Sequence, residues 1–183
     1  MKRPRTGSGP RPDMCGRYTQ TADIKTLQRR FGFRAEGAAF APRYNIAPGQ
    51  TAPLVVRDEA RRLALMRWGL VPSWAKDPAI GHRMINARSE TIAEKPAFRK
   101  PFEKRRCLVV ADGFYEWRRA GRAKVPVRFV RKDGAPFAFA GLWDRWRVPG
   151  ETPLDTFTVL TTSANSLVAE VHARMPVILR EDD

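Results

Sequence analysis

The chain has 183 residues, 43% of them hydrophobic and 29% charged, which suits a globular protein with one core and hardly room for two. No apolar run approaches the ~20 residues of a membrane span, and no apolar stretch follows the basic start Met1-Lys2-Arg3-Pro4-Arg5, so the expected location is cytoplasmic rather than secreted. Thirty-four Lys and Arg against 19 Asp and Glu give a formal charge of +15, favourable to phosphate-bearing partners and equally compatible with a plain solubilising surface.

Residues 1–13 are rich in Pro, Gly, Ser and Arg and lack apolar periodicity, so they are expected to be a disordered basic extension. They carry only +3 of the charge, and the excess belongs to the domain expected over 14–183. Order is expected to begin at Met14-Cys15-Gly16-Arg17-Tyr18. Ile24, Leu27 and Phe31 lie on one helical face, with Gly32 as a C-cap. Arg43–Gln50 reads as a turn-rich loop, because Pro48-Gly49 forbids helix. Pro53–Arg57 and Arg62–Trp68 read as strands joined by Asp58-Glu59-Ala60, and Leu70–Ala87 reads as an extended loop.

Ser89 is placed to cap a short helix reaching towards Phe98, and Cys107–Val110 reads as a buried strand. Val125, Val127 and Phe129 alternate with polar residues before Asp133-Gly134, which predicts a hairpin with Phe137–Trp143. Phe157–Leu160 is a further strand. Ser163 is placed to cap a helix exposing one face of Leu167, Val168 and Val171, and Pro176–Leu179 is a last strand. Many short strands and few helices predict an α+β domain on antiparallel sheet, an open barrel-like core with short flanking helices.

The two cysteines, Cys15 and Cys107, and two histidines, His82 and His172, show no zinc-ligand spacing, and no glycine pattern cradles a phosphate or dinucleotide. Neither a metal nor another cofactor is expected, and chemistry falls to side chains. Cys15, Asn86, Glu116 and His172 stand out at the ends of elements or among strong neighbours. Each also has an ordinary reading, as surface, packing or helix-end residues. Cys107 reads as a buried core thiol and His82 as a solvent-facing loop residue. Trp68, Trp117, Trp143 and Trp146 read as packing residues. Arg99–Arg106 reads as a solvated face or an addition to a DNA footprint.

Six strings occur in order: Met14–Tyr18 (MCGRY), Tyr44–Gly49 (YNIAPG), Trp68–Trp74 (WGLVPSW), Asn86–Thr91 (NARSET), Ala111–Trp117 (ADGFYEW) and His172–Pro176 (HARMP). Together they resemble the SRAP (SOS-response-associated peptidase) family. The resemblance implies a sensor of abasic sites in single-stranded DNA that crosslinks itself to the lesion through a thiazolidine at an N-terminal cysteine. Cys15 is then the nucleophile, with Asn86, Glu116 and His172 around it. Arg17, Asn45, Pro48, Trp74, Arg88, Thr161 and Arg174 match DNA-contacting segments. A terminal cysteine suits the task because its α-amine, near pKa ~7.7–8.0, and its thiol, near ~8.5, both reach one aldehyde carbon.

Family members begin at Met-Cys and lose the Met, so Met14 marks either a start assigned too far upstream or a cleavage at Met14-Cys15. The resemblance also implies further C-terminal elements beyond Asp183. The expected protein is a monomer without membrane contact, associated with the nucleoid through DNA. Two other functions stay open: a peptidase using the terminal cysteine, self-cleaving or not, and a DNA-binding module without catalysis.

Overall fold

The computed structural model describes residues 15–34 and 40–180, so the expected disordered extension and Met14 lie outside the described residues. The main body is a five-stranded ring. Its strands are β3 (Thr51–Arg57), β4 (Arg61–Trp68), β6 (Arg106–Ala111), β9 (Phe137–Trp146) and β10 (Leu154–Ser163). They run in the order β10-β4-β3-β6-β9, and β9 pairs back onto β10 from Leu154↔Trp146 to Val159↔Gly141. The barrel is therefore closed where the sequence suggested an open one, and its own strands leave no unpaired edge. All its pairings are antiparallel except β10 with β4.

Two short strands extend the flanks of β10: β5 (Asn86–Arg88) in parallel and β11 (Arg174–Pro176) antiparallel. A second sheet has the order β2 (Arg43–Ile46), β1 (Arg17–Gln20), β7 (Gly113–Ala120), β8 (Ala123–Phe129). The main core lies between the two sheets. Tyr18 and Phe114 from the smaller sheet meet Trp68, Phe139 and Phe157 from the ring. Tyr18 stands edge-on to Trp68 at 5.3 Å and to Phe139 at 5.8 Å between centroids.

The near-continuous apolar runs of β3 and β6 follow from burial on both faces. Leu54, Val56 and Val109 point into the main core, while Val55 and Val110 point out to Leu27, Phe31 and Phe33. Helix α1 (Ile24–Phe31) supplies two of those three. Asp23 caps it by accepting the Thr26 N–H at 2.9 Å, and Gly32, at φ 61°, ends it as expected. Helix α2 (Pro96–Lys104) buries Ala97 and Phe98 against Leu142 and Leu160 on the opposite flank.

Several sequence expectations need correction. β8 does not pair with β9: its partner is β7, across the tight turn at Gly121-Arg122, with Gly121 at φ 60°. The Asp133-Gly134 turn exists but carries the chain between sheets, because Phe137 and Phe139 are needed inside the ring. Arg43–Ile46 is a strand, and a 3-10 turn at Pro78–Arg83 and β5 interrupt the long loop. Ser89 caps nothing, and α2 begins later, at Pro96. The cap of α3 (Ser166–Ala169) is Asn165 rather than Ser163, its Oδ1 accepting the Val168 N–H at 2.9 Å; Leu167 points outward.

Candidate functional site

Cys15 lies just ahead of β1 and is 2% exposed. Its position is set by the anchoring of β1 to Asp112, which sits between β6 and β7. The Asp112 carboxylate accepts from the Thr19 and Thr21 hydroxyls, from the N–H groups of Thr21 and Ala22, and from Arg128 at 3.2 Å. Burial pushes the Asp112 carboxyl up, but the hydrogen bonds from Thr19 and Thr21 outweigh it and hold its pKa below the usual carboxylate range.

Asn86 heads β5, opposite Val159 of β10, and is buried. Its Nδ2 donates to the Cys15 carbonyl at 3.3 Å, while its Oδ1 is buried without a hydrogen-bond partner among the described residues. Glu116 comes from the inner face of β7 and is 3% exposed, its Oε1 equally without a partner. His172 lies beyond α3 rather than late within it. Its backbone N–H bonds to Val168 O at 2.9 Å, and its Nδ1 sits 3.1 Å from both the N–H and the carbonyl of Arg174. That nitrogen can accept when unprotonated and donate when protonated without the ring moving.

The four groups come from four separate segments; Asn86 is bonded to Cys15, and charge couples Glu116 to Cys15 and His172 to Glu116. Burial, against the opposing charge of His172, raises the Glu116 carboxyl to about 7. Burial also pushes the Cys15 thiol well above its ordinary value; the charge of Glu116 adds to this, and the bond to Arg17 O opposes it. At neutral pH the pocket therefore holds a protonated thiol beside a carboxyl poised between acid and base. Such a pair suits a reaction that must first deliver and then remove protons at one carbon.

Of the expected DNA contacts, Arg17 and Asn45 meet at the surface, Nη1 to Oδ1 at 2.9 Å. Pro48 is half-buried in a turn completed by Gly49, at φ 83°. Trp74 is 60% exposed, and Arg88 is exposed at the end of β5. Thr161 departs from expectation: it is fully buried, opposite Arg88 in register, and offers no surface to a strand. Instead its carbonyl holds Arg174 Nη2 at 2.8 Å. The Arg174 fork is already occupied, its Nη1 and Nη2 meeting Glu90 at 2.6 and 2.9 Å. Nothing in spacing or residue type joins Glu90 to Arg174, 84 positions apart. Cys107 is buried as expected and His82 is exposed, away from this group. Among the described residues no cluster of His, Cys, Asp or Glu could hold a metal ion.

A buried cysteine at the head of a strand, flanked by an amide, a near-neutral carboxyl and a histidine on a small closed barrel, defines a class of cysteine-centred proteins. The chain matches the model of the SOS response associated peptidase (SRAP) family over residues 14–183, and it belongs to that family. It is 45% identical over 175 residues to the abasic site processing protein YoqW of Bacillus subtilis, covering 93% of this chain and 78% of that protein. It is 33% identical over 214 residues to the abasic site processing protein HMCES of Gallus gallus, covering 93% and 63%. A crystal structure of a Bacteroides thetaiotaomicron protein superposes with a TM-score of 0.84 at 30% identity, covering 92% of this chain and 78% of that one.

Proposed function

We propose that this protein senses abasic sites in single-stranded DNA and traps them by forming a thiazolidine at Cys15. The observation that carries this reading is the grouping of Cys15 with Asn86 and a Glu116 carboxyl held near pKa 7. The α-amine of Cys15, freed of Met14, attacks the open-chain aldehyde of the sugar. A carbinolamine forms, and Glu116 protonates its oxygen so that water departs and leaves an imine. The thiol then adds to the imine carbon, closing the five-membered ring, while its proton passes through Glu116 to the nitrogen.

Asn86 serves this chemistry through both ends of its amide. Its Nδ2 fixes the Cys15 carbonyl, and its unpartnered Oδ1 can accept an N–H of the freed amine without protonating it. His172, whose Nδ1 is served by Arg174 in either protonation state, stabilises the opened sugar. Arg17, Asn45, Pro48, Trp74 and Arg88 are the surface groups for the strand. Arg174 joins them only if a phosphate displaces Glu90. The protein is then a nucleoid-associated monomer acting on damaged single strands.

Protein beginning at Cys15, mixed with an abasic oligonucleotide, should give an adduct that survives SDS. Cys15→Ala should abolish it, and an intact oligonucleotide should give none. Protein that binds the abasic strand but leaves no SDS-stable species would refute the trap. Peptide hydrolysis lost in the same variant would point to a terminal-cysteine peptidase instead.

A further inference from the structure

The smaller sheet carries a feature that the trap does not use. β1 pairs with β7 only at Gly113, Phe114 and Tyr115, so from Glu116 to Ala120 β7 pairs with β8 alone and forms a two-stranded arm. Between Trp117 and Lys132 the chain has seven cations and no carboxylate. Of these, Arg128 is held by Asp112 and Arg131 by Asp133. Arg118, Arg119, Arg122 and Lys124 are exposed near the tip, and among the described residues none has an ion-pair partner. Elsewhere some arginines are neutralised locally, Arg105 with Asp144 and Arg145 with Asp155.

The register makes the arm more than a charged surface. Directly paired residues project from the same face of an antiparallel ribbon, and successive residues alternate between faces. Arg17↔Tyr115, Trp117↔Pro126 and Arg119↔Lys124 therefore share the outer face, while Glu116 occupies the inner one. Along that face runs a cation, two half-buried aromatics and two further cations. Arg119 opposite Lys124 is a like-charge pair, destabilising in a bare ribbon and relieved when a polyanion lies across it. Aromatic faces interleaved with cations are what a single nucleic-acid strand requires, bases stacking and phosphates pairing.

We infer that the outer face of the β7–β8 arm is a track for the DNA strand flanking the lesion, with Trp117 as a stacking face and Arg119, Arg122 and Lys124 as phosphate contacts. Five residues separate Tyr115, opposite Arg17, from Ala120, about 17 Å of strand. At duplex spacing this spans about five phosphates of one DNA strand. The track extends the DNA surface outward from Arg17, and it rests on the reading of this protein as a single-strand binder.

The test compares Arg119→Gln/Arg122→Gln/Lys124→Gln with Lys25→Gln/Arg29→Gln/Arg57→Gln, which removes the same charge from exposed positions on α1 and at the end of β3. Affinity for intact single-stranded DNA is measured against salt, so the outcome does not depend on crosslinking. The arm variant should bind about tenfold more weakly near physiological salt, with a salt slope shallower by about 2, the loss of three phosphate contacts. The α1 and β3 control variant should stay close to the parent. On strands carrying a tetrahydrofuran abasic analogue, which cannot open to an aldehyde, shortening the DNA on each side of the analogue in turn should weaken the parent on one side only and erase the difference between parent and arm variant. Equal losses in the two triple variants, or a deficit that persists on the shortened strand, would overturn the track. Failure of the trap itself would appear separately, as absent adduct with the affinity difference intact.

Discussion

Glu116 is the residue whose environment most clearly opposes stability. A carboxyl near pKa 4.3 in the unfolded chain is raised to about 7 in the folded protein by burial. Between those values the folded state holds more protons than the unfolded state, so stability falls as pH rises through this window and stays reduced above it. The contribution amounts to about 3 kcal/mol between pH 4 and pH 8. Glu116→Gln removes it. In urea unfolding the variant should gain on the parent by about that amount across the same range, while adduct formation slows sharply. A stability difference that does not change with pH would show that Glu116 ionises freely. The same residue shows the limit of sequence reading. FYEW marks Glu116 as a carboxylate among aromatics, but its pKa is set by burial and, in opposition, by the charge of His172, and both come only with the fold.

At the scale of elements, the site depends on β1 keeping its place, and Asp112 is the fixing point. Asp112→Ala leaves the Thr19 hydroxyl and the Thr21 and Ala22 N–H groups without their acceptor, at a cost of about 2–4 kcal/mol. Chemical denaturation should register that loss. Because the Asp112 pKa is lowered in the folded state, its stabilisation is present above the unfolded value of about 3.9 and disappears as pH falls through the folded value. The parent should therefore lose stability in acid more steeply than the variant. Asp112 was visible in the ADGFYEW string, yet nothing in spacing alone assigns it to threonines 91 to 93 positions away. Strands with local hairpins, such as β3–β4, were legible because register and turn are close in sequence. The β8 assignment failed because its alternation, Val125, Val127 and Phe129, marks a face turned inward with Phe114 and Glu116 but does not reveal which neighbour a strand will choose.

At the scale of the whole molecule, ring closure depends on how closely β6, β9 and β10 approach. A Cβ placed on Gly141 would lie 2.7 Å from a Val109 methyl and 2.8 Å from Cys107 Sγ, with the Thr158 carbonyl at 3.2 Å. Gly141→Ala should therefore cost about 1–3 kcal/mol by overpacking, seen as a lower urea midpoint with an unchanged denaturant slope. A neutral outcome would show the crossing to be looser than drawn. The sequence offered an antiparallel barrel but not its closure, which depends on the β9–β10 and parallel β10–β4 contacts between distant segments. The candidate residues of the site came from the ordered strings, whereas the burial of Thr161 and the capture of Arg174 by Glu90 needed coordinates.

One arrangement in the ring bears on how such a protein can change. β4 and β5 lie against the same edge of β10 in the same direction, Trp68 beside Phe157 and Asn86 beside Val159. Along that edge they form one interrupted strand, in which Asn86 stands where a straight continuation of β4 would have placed Leu70. The loop carrying Trp74 is an excursion inserted into this line, tied at its base by Leu70 to Met84 and by the close approach of Gly69 and Gly81. Its outer part can lengthen or shorten with an entropy cost of only about 0.6 kcal/mol per doubling. The amide beside Cys15 does not move when it does. Lineage or laboratory can thus redraw the surface around Trp74 while Asn86 keeps its register beside Cys15.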